Sequence, residues 1–319
     1  MRIRAFLRFA AAGLVLAAAG ASAQYPQRPV RVIVPNPPGG ATDTVARLFT
    51  PKLSEALGQP VLVDNRSGSN GNLATDMVGK ATPDGYTLLL AADAQIVISP
   101  HLYAMATDPM KDLIPLSSLV TTHLMLVAGA SVPVKSLREF VEYARRAKPP
   151  LAYASIGNGS QHQLAMEMLK AKAGIDLVHV PYKGGGPAMV ALLAGDVAAM
   201  FGGNSVSGQV KAGKVRPLAA AGAKRIAAYP DLPSIGEIYP GVEVTPWLGI
   251  FAPAGTQSAV LARLRTETSR LLADAEIRDR TSKGGLELWA TSSEEFAAVV
   301  RADYAKYGAI VKAVGIKVE

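Results

Sequence analysis

Short apolar runs alternate along the chain with longer segments whose apolar residues recur at helical spacing. Residues 30–34, VRVIV, read as a strand. A breaker cluster, PNPPGG, follows at 35–40. Thr42 and Asp43 then offer N-cap side chains for a helix over 45–57 that ends at Gly58. Residues 61–63 and 87–91 supply the next two strands. The same order restarts in the middle of the chain. A strand at 151–154 runs into SIGNGS at 155–160 and a helix over 163–173 closed by Gly174. A strand at 177–180 runs into PYKGGG at 181–186, a helix over 187–193 closed by Gly195, and a strand at 197–201. Strands separated by such helices predict a parallel sheet with helices on both faces. One strand–glycine-loop–helix scheme in each half, with no short-period repeat, predicts two α/β lobes rather than a solenoid.

Two further apolar segments, 124–128 and 247–252, bracket the second scheme and are expected to carry the chain between lobes. They return the helices expected at 259–273 and 293–313 to the first lobe. The expected organisation is residues 24–123 with 247–319 in lobe 1 and 124–246 in lobe 2, joined by a two-strand hinge.

The first residues stand outside this grammar. Arg2, Arg4 and Arg8 precede an uncharged run at 9–19, and Ala21-Ser22-Ala23 closes it. This is the pattern of a cleaved secretory signal peptide over residues 1–23. The run is too short to cross roughly 30 Å of hydrocarbon, and no Cys stands at the cleavage site to take a lipid. Removing those residues from 319 leaves 296, enough for two domains. Removing their three arginines lowers the formal net charge from +8 to +5. That mild excess favours small anions. No Lys/Arg block with interleaved aromatics is present, so nucleic acid is not expected as a partner. With no cysteine, thiolate catalysis and Cys-based metal sites are excluded, and stability must come from core burial.

The candidate chemistry lies in the glycine loops. At the carboxyl end of a parallel strand such a loop carries ligand contacts. At the start of a helix it exposes unpaired backbone N–H groups and a partial positive charge, a site for a carboxylate or phosphate. Gly39 and Gly40 permit close approach and positive φ in the first half; Gly157, Gly159 and Ser160 do so in the second. Two such loops facing one cleft would grip one anion from both sides. Taken singly, each glycine cluster also fits a simple tight turn.

Several blocks then resemble one family. RVIVPNPPGGATD (31–43), GQPVLVDNR (58–66), PDGYTL (83–88), YASIGNGS (153–160) with His162, HVPYKG (179–184), PDLP (230–233), WLG (247–249) and APAGT (252–256) are similar, in this order, to the tripartite tricarboxylate transporter receptors, the Bug family. The resemblance implies a type II periplasmic-binding-protein fold, α/β, with two lobes that close on a small carboxylate. It implies a periplasmic monomer without cofactor or metal, partnered by the membrane permease subunits of a tripartite transporter. It implies ligand contacts from Pro38, Gly39, Gly40, Ala41, Thr42 and Asp43, and from Ser155, Gly157, Asn158, Gly159, Ser160 and His162. Asp43 has helix capping as an alternative role. Two departures bear on the ligand's far end. Ala92-Asp93-Ala94-Gln95 stands where hydroxyl-rich stretches are usual, and Gly202 stands where many members have Asp. Asp93 and Ala94 are therefore expected to face the cleft, with Asp93 favouring a ligand that bears a donor or cation; an ordinary capping or solvated Asp is the alternative. Tyr182 is a further candidate for the cleft lining.

Other signals carry less. GQVKAGKV over 208–215 approaches a phosphate-binding loop but has Val215 where Ser or Thr would hold magnesium. His101, His123, His162 and His179 lack metal-ligand spacing, and His179 reads as structural. Ser160 and His162 have no evident orienting acid, and no G-x-S-x-G elbow is present. The expectation is a receptor and not an enzyme, with a periplasmic sensor, or an exported enzyme acting on small acids, as the rival readings.

Overall fold

The computed structural model describes residues 25–203, 206–283 and 286–316. The signal-peptide expectation at 1–23 lies outside them.

Two sheets form, each from a different part of the chain. The first contains β1 (Val30–Val34), β2 (Val61–Asn65), β3 (Thr87–Ala92), β4 (Leu113–Thr121), β10 (Trp247–Pro253) and β11 (Glu287–Leu288), in the spatial order β11-β4-β10-β3-β1-β2. The second contains β5 (Met125–Gly129), β6 (Leu151–Ser155), β7 (Leu177–Pro181), β8 (Ala199–Gly202) and β9 (Val215–Ala220), in the order β7-β6-β8-β5-β9. β1 pairs in parallel with β2 and β3, and β6 with β7 and β8, as the strand–helix alternation predicts. The sheets are not wholly parallel, however. β10 runs antiparallel to β3 and β4, and β5 runs antiparallel to β8 and β9. Each of these arrives from the other sheet rather than from a helix on its own, so the right-handed crossover rule does not set its direction.

The chain crosses between the sheets twice. The first crossing joins β4 to β5 through residues 122–124; the second enters β10 through 244–246. They lie side by side: the Thr122 N–H and the Thr121 hydroxyl both donate to the Pro246 carbonyl, at 3.1 and 2.9 Å. Of the segments expected to cross, 124–128 starts at the last residue of the first crossing and otherwise lies in β5, and 247–252 lies within β10, directly after the second crossing.

Around the sheets stand α1 (Ala41–Leu57), α2 (Asn72–Gly79), α3 (Pro109–Asp112), α4 (Leu137–Arg146), α5 (Gln161–Ala173), α6 (Gly185–Ala194), α7 (Val206–Lys211), α8 (Ile235–Ile238), α9 (Ser258–Ala273), α10 (Ala275–Lys283) and α11 (Ser293–Val314). Gly58, Gly174 and Gly195 all end their helices in the left-handed conformation, as read from the sequence. The P-loop-like stretch is the end of α7, a turn at Gly213 and the start of β9, with no phosphate-loop geometry. α4 carries a local signal of its own: its apolar face (Leu137, Phe140, Val141, Ala144) follows Ser136, whose hydroxyl accepts from Glu139 N.

α11 ties the C-terminus to the crossings. Ser292 and Glu295 form a capping box at its start. Phe296 packs edge-to-face on Trp247 with ring centroids 5.0 Å apart, and the Trp247 indole N–H donates to Asp303 Oδ2 at 2.9 Å. One apolar cluster runs from Ile33 and Leu89 through Trp247 and Leu126 to Phe201, so the core is continuous past the crossings. Separate clusters lie between α1, α9 and the first sheet, and between α6 and the second.

Candidate ligand-binding cleft

The two glycine loops open onto one cavity of about 640 Å³, within the size range of small-molecule sites. From the first sheet come Asn36, Gly39, Ala41, Thr42 and Thr44; from the second come Ile156, Gly157, Asn158, Gly159, Ser160, Gln161 and His162. The crossings supply Thr122, Leu124 and Pro246, and the start of β10 supplies Trp247, as its floor.

The helix starts differ in construction. α1 begins at Ala41, with Gly40 at the N-cap in an extended conformation and no side-chain cap. Thr42 and Asp43 are therefore in the first turn and not at the cap. Thr44 N–H donates to Gly40 O at 2.9 Å, so the N–H groups of Ala41, Thr42 and Asp43 lie ahead of the helical ladder. α5 begins at Gln161, with Ser160 capping through Gln163 N. Leu164 N–H closes the first turn on Ser160 O at 3.0 Å, leaving Gln161 and His162 with outward N–H groups.

The glycine N–H groups do not serve as free anion donors, contrary to the simplest reading of the loops. Gly39 N–H donates to Asp43 Oδ2 at 2.9 Å, Gly157 N–H to Ser155 Oγ at 3.1 Å, and Gly159 N–H to Gln163 Oε1 at 2.7 Å. What glycine supplies here is positive φ: +84° at Gly39, +136° at Gly157 and +74° at Gly159. Those dihedrals make the sharp turns that carry the chain from each strand into its helix start.

Asp43 is 2% exposed and does not line the cavity. Its Oδ2 also accepts from Arg47 Nε at 2.9 Å, and its Oδ1 accepts from Asn65 Nδ2 at 3.0 Å. The Arg47 hydrogen bond above all, aided by Gly39 and Asn65, holds its carboxyl at about 2. Its position is that of a clamp beneath the loop.

Asp93 lines the cavity and is fully buried. It caps a π-helical turn, Ala94–Ile98, by accepting from Ala94 N at 3.0 Å. The same Oδ1 accepts from Gln161 Nε2, a side chain of the opposite sheet's helix α5. Burial, with a smaller push from Asp303, raises its carboxyl to about 8 despite the Gln161 hydrogen bond. Asp93 thus both lines the cavity and caps a turn, and it accepts a hydrogen bond from the opposite side of the cleft.

Ala94 and His162 also line the cavity. Burial lowers His162 to about 4, so its imidazole is neutral at pH 7, and Nδ1 is buried without a protein partner.

Of the residues singled out by sequence, Gly39, Ala41, Thr42, Asp93, Ala94, Gly157, Asn158, Gly159, Ser160 and His162 come together around the cavity. Pro38, Gly40, Asp43, Ser155, Tyr182 and Gly202 support its walls without lining it. Tyr182 packs against the apolar cluster under α6. Gly202 sits so close to α7 that an added Cβ would meet Val206 Cγ1 at 2.0 Å; with Val206 in place, no acidic side chain fits there. Missed by sequence were Gln161, Asn36 and the floor residues, because a contact across the cleft or at a crossing leaves no local pattern. Among the described residues, no cluster of His, Cys, Asp and Glu could hold a metal ion.

Two mixed sheets joined by paired crossings, with two helix starts turned toward one cavity between them, define a two-lobed solute-binding receptor. The tripartite tricarboxylate transporter family receptor profile matches residues 45–316, and the chain belongs to that family. It is 31% identical to protein BugT of Bordetella pertussis over 317 residues, covering 96% of this chain and 97% of that one. Among solved structures it is similar to an R. palustris protein with adipate (32% identity, TM-score 0.80, covering 92% of this chain and 99% of that one). It is also similar to MatC of Rhodopseudomonas palustris with bound malate (33% identity, TM-score 0.76, covering 90% and 100%).

Proposed function

We infer that this receptor captures a small carboxylic acid, with one carboxylate held by main-chain N–H groups of Ala41, Thr42, Gln161 and His162. The observation that carries the reading is the pair of helix starts lining one cavity from opposite sheets. The acids in the two similar solved structures, adipate and malate, are both dicarboxylic, so a dicarboxylate of four to six carbons is the first class to try.

Lobe 1 (24–123 with 247–319) and lobe 2 (124–246) are assigned as the closing bodies, and the paired crossings at 122–124 and 244–246 as the hinge. The Asp93–Gln161 contact then belongs to the closed state. The protein works without turnover: the Ser160 hydroxyl is committed to Gly157 O at 2.7 Å, and Ser155, although 2.7 Å from His179 Nε2, stays outside the cavity wall. Residues 1–23 direct export to the periplasm. The loaded, closed receptor is delivered to the permease subunits of a tripartite transporter.

Isothermal titration with adipate, malate, citrate, glutamate and benzoate tests the ligand class. Saturable binding of at least one acid, lost in Thr42→Pro, which removes an N–H from the first turn, is expected. Heat of dilution alone across the panel would overturn the reading.

A further inference from the structure

We propose that His179, outside the cavity, is a positioning residue that sets the second-lobe ligand loop through a five-residue hydrogen-bond relay, and that protonating it weakens ligand binding. The proposal rests on the carboxylate-binding role given to that loop above.

The relay follows from donor and acceptor inventories. Gly159 N–H donates to Gln163 Oε1 at 2.7 Å, which fixes the Gln163 amide with its Nε2 at the far end. That Nε2 lies 3.2 Å from His179 Nδ1. An amide nitrogen only donates, so Nδ1 accepts and the ring proton sits on Nε2. His179 Nε2–H then donates to Ser155 Oγ at 2.7 Å. The Ser155 hydroxyl donates onward to Gly157 O at 3.0 Å and accepts from Gly157 N–H at 3.1 Å. Every group is satisfied, and the relay begins and ends on glycines that line the cavity.

A second proton on His179 breaks this order. Nδ1–H would face the Gln163 NH2, donor against donor. Flipping Gln163 only moves the conflict to Gly159 N–H, inside the ligand loop. Either way the loop loses a hydrogen bond that orients the Asn158–His162 turn.

The titratable and charged groups facing the ring are Tyr153, Glu167 and Lys170. Tyr153 stacks on it with centroids 5.0 Å apart and donates its hydroxyl to Glu167 Oε1 at 2.6 Å. Lys170 Nζ neutralises Glu167 from 2.9 Å. Burial lowers the affinity of His179 for a proton; Glu167 opposes this and Lys170 adds to it.

The test uses the exported chain and adipate, or malate if adipate is not bound at pH 7.5. In His179→Gln the side-chain amide can still donate to Ser155 but cannot titrate. Each protein's affinity at pH 7.5 is the reference for its own pH profile. As pH falls to a unit below the His179 midpoint, read from its ring 15N shifts, the wild type should lose about tenfold more affinity than His179→Gln, the worth of one net hydrogen bond. The ratio cancels the ligand's own protonation. In Gln163→Glu a carboxylate accepts from both Gly159 and Nδ1–H, so the His179 titration midpoint, followed by ring 15N shifts, should rise. The same spectra of ligand-free wild type at pH 7.5 should show the Nε2–H tautomer. An Nδ1–H tautomer, parallel pH profiles for wild type and His179→Gln, or an unmoved midpoint in Gln163→Glu would each overturn the proposal. Failure of both acids to bind at pH 7.5 counts against the ligand class instead, and the tautomer and midpoint still decide the relay.

Discussion

Replacing Asp93 by Asn should stabilise this protein in a way that grows with pH. Asp93 is wholly buried, and burial sets its carboxyl near 8, against 3.8 for the free group. Unfolding exposes it. The folded state therefore binds the proton more tightly, and the neutral form is the stable one inside. The contribution is fully favourable below about pH 4 and is lost as pH rises toward 8. Each pH unit in that window removes about 1.4 kcal/mol, so wild type loses about 4 kcal/mol between pH 5 and pH 8 through this one group. Asn cannot ionise, and its Oδ1 can still accept from Ala94 N and Gln161 Nε2 as Asp93 does. For a chain of this length 1 kcal/mol moves Tm by about 2 °C. Thermal unfolding of both proteins should show the Asn variant gaining about 8 °C on wild type between pH 5 and pH 8. A Tm difference that stays constant over that range would refute the reasoning, because an Asp titrating near 4 in the fold gives no such slope.

Two further outcomes follow from the packing around the cavity. Asp43→Asn should cost about 1–2 kcal/mol in urea unfolding and weaken binding of whichever carboxylic acid titration identifies, because Gly39 N–H and Arg47 lose their shared carboxylate acceptor. Since Arg47 holds Asp43 low, the stabilisation it provides is complete above about pH 4 and disappears as pH falls toward 2, which unfolding of wild type and variant over that range would show. Gly202→Ala should destabilise by about 1–3 kcal/mol, measured by the same unfolding, since its Cβ would collide with Val206; pairing it with Val206→Ala should recover most of the loss.

The sequence by itself determined the grammar. Short apolar runs between turn signals marked β1, β2, β3, β6 and β7 to within two residues, and Gly58, Gly174 and Gly195 marked helix ends because only glycine sits cheaply at positive φ there. Both glycine loops were legible for the same reason: a breaker cluster between a strand and a helix is a local signal. Tertiary structure alone decided which of those loop residues face the cavity. Asp43 and Ser155 turn inward to satisfy glycine N–H groups, and Gly202 is filled against Val206. It also decided that Asp93 meets Gln161, and that Gln163, His179 and Ser155 form one relay. These pairs lie 68, 16 and 24 positions apart in the chain. A hydrogen bond across such a separation depends on how sheets and helices stack, which no window of neighbouring residues encodes.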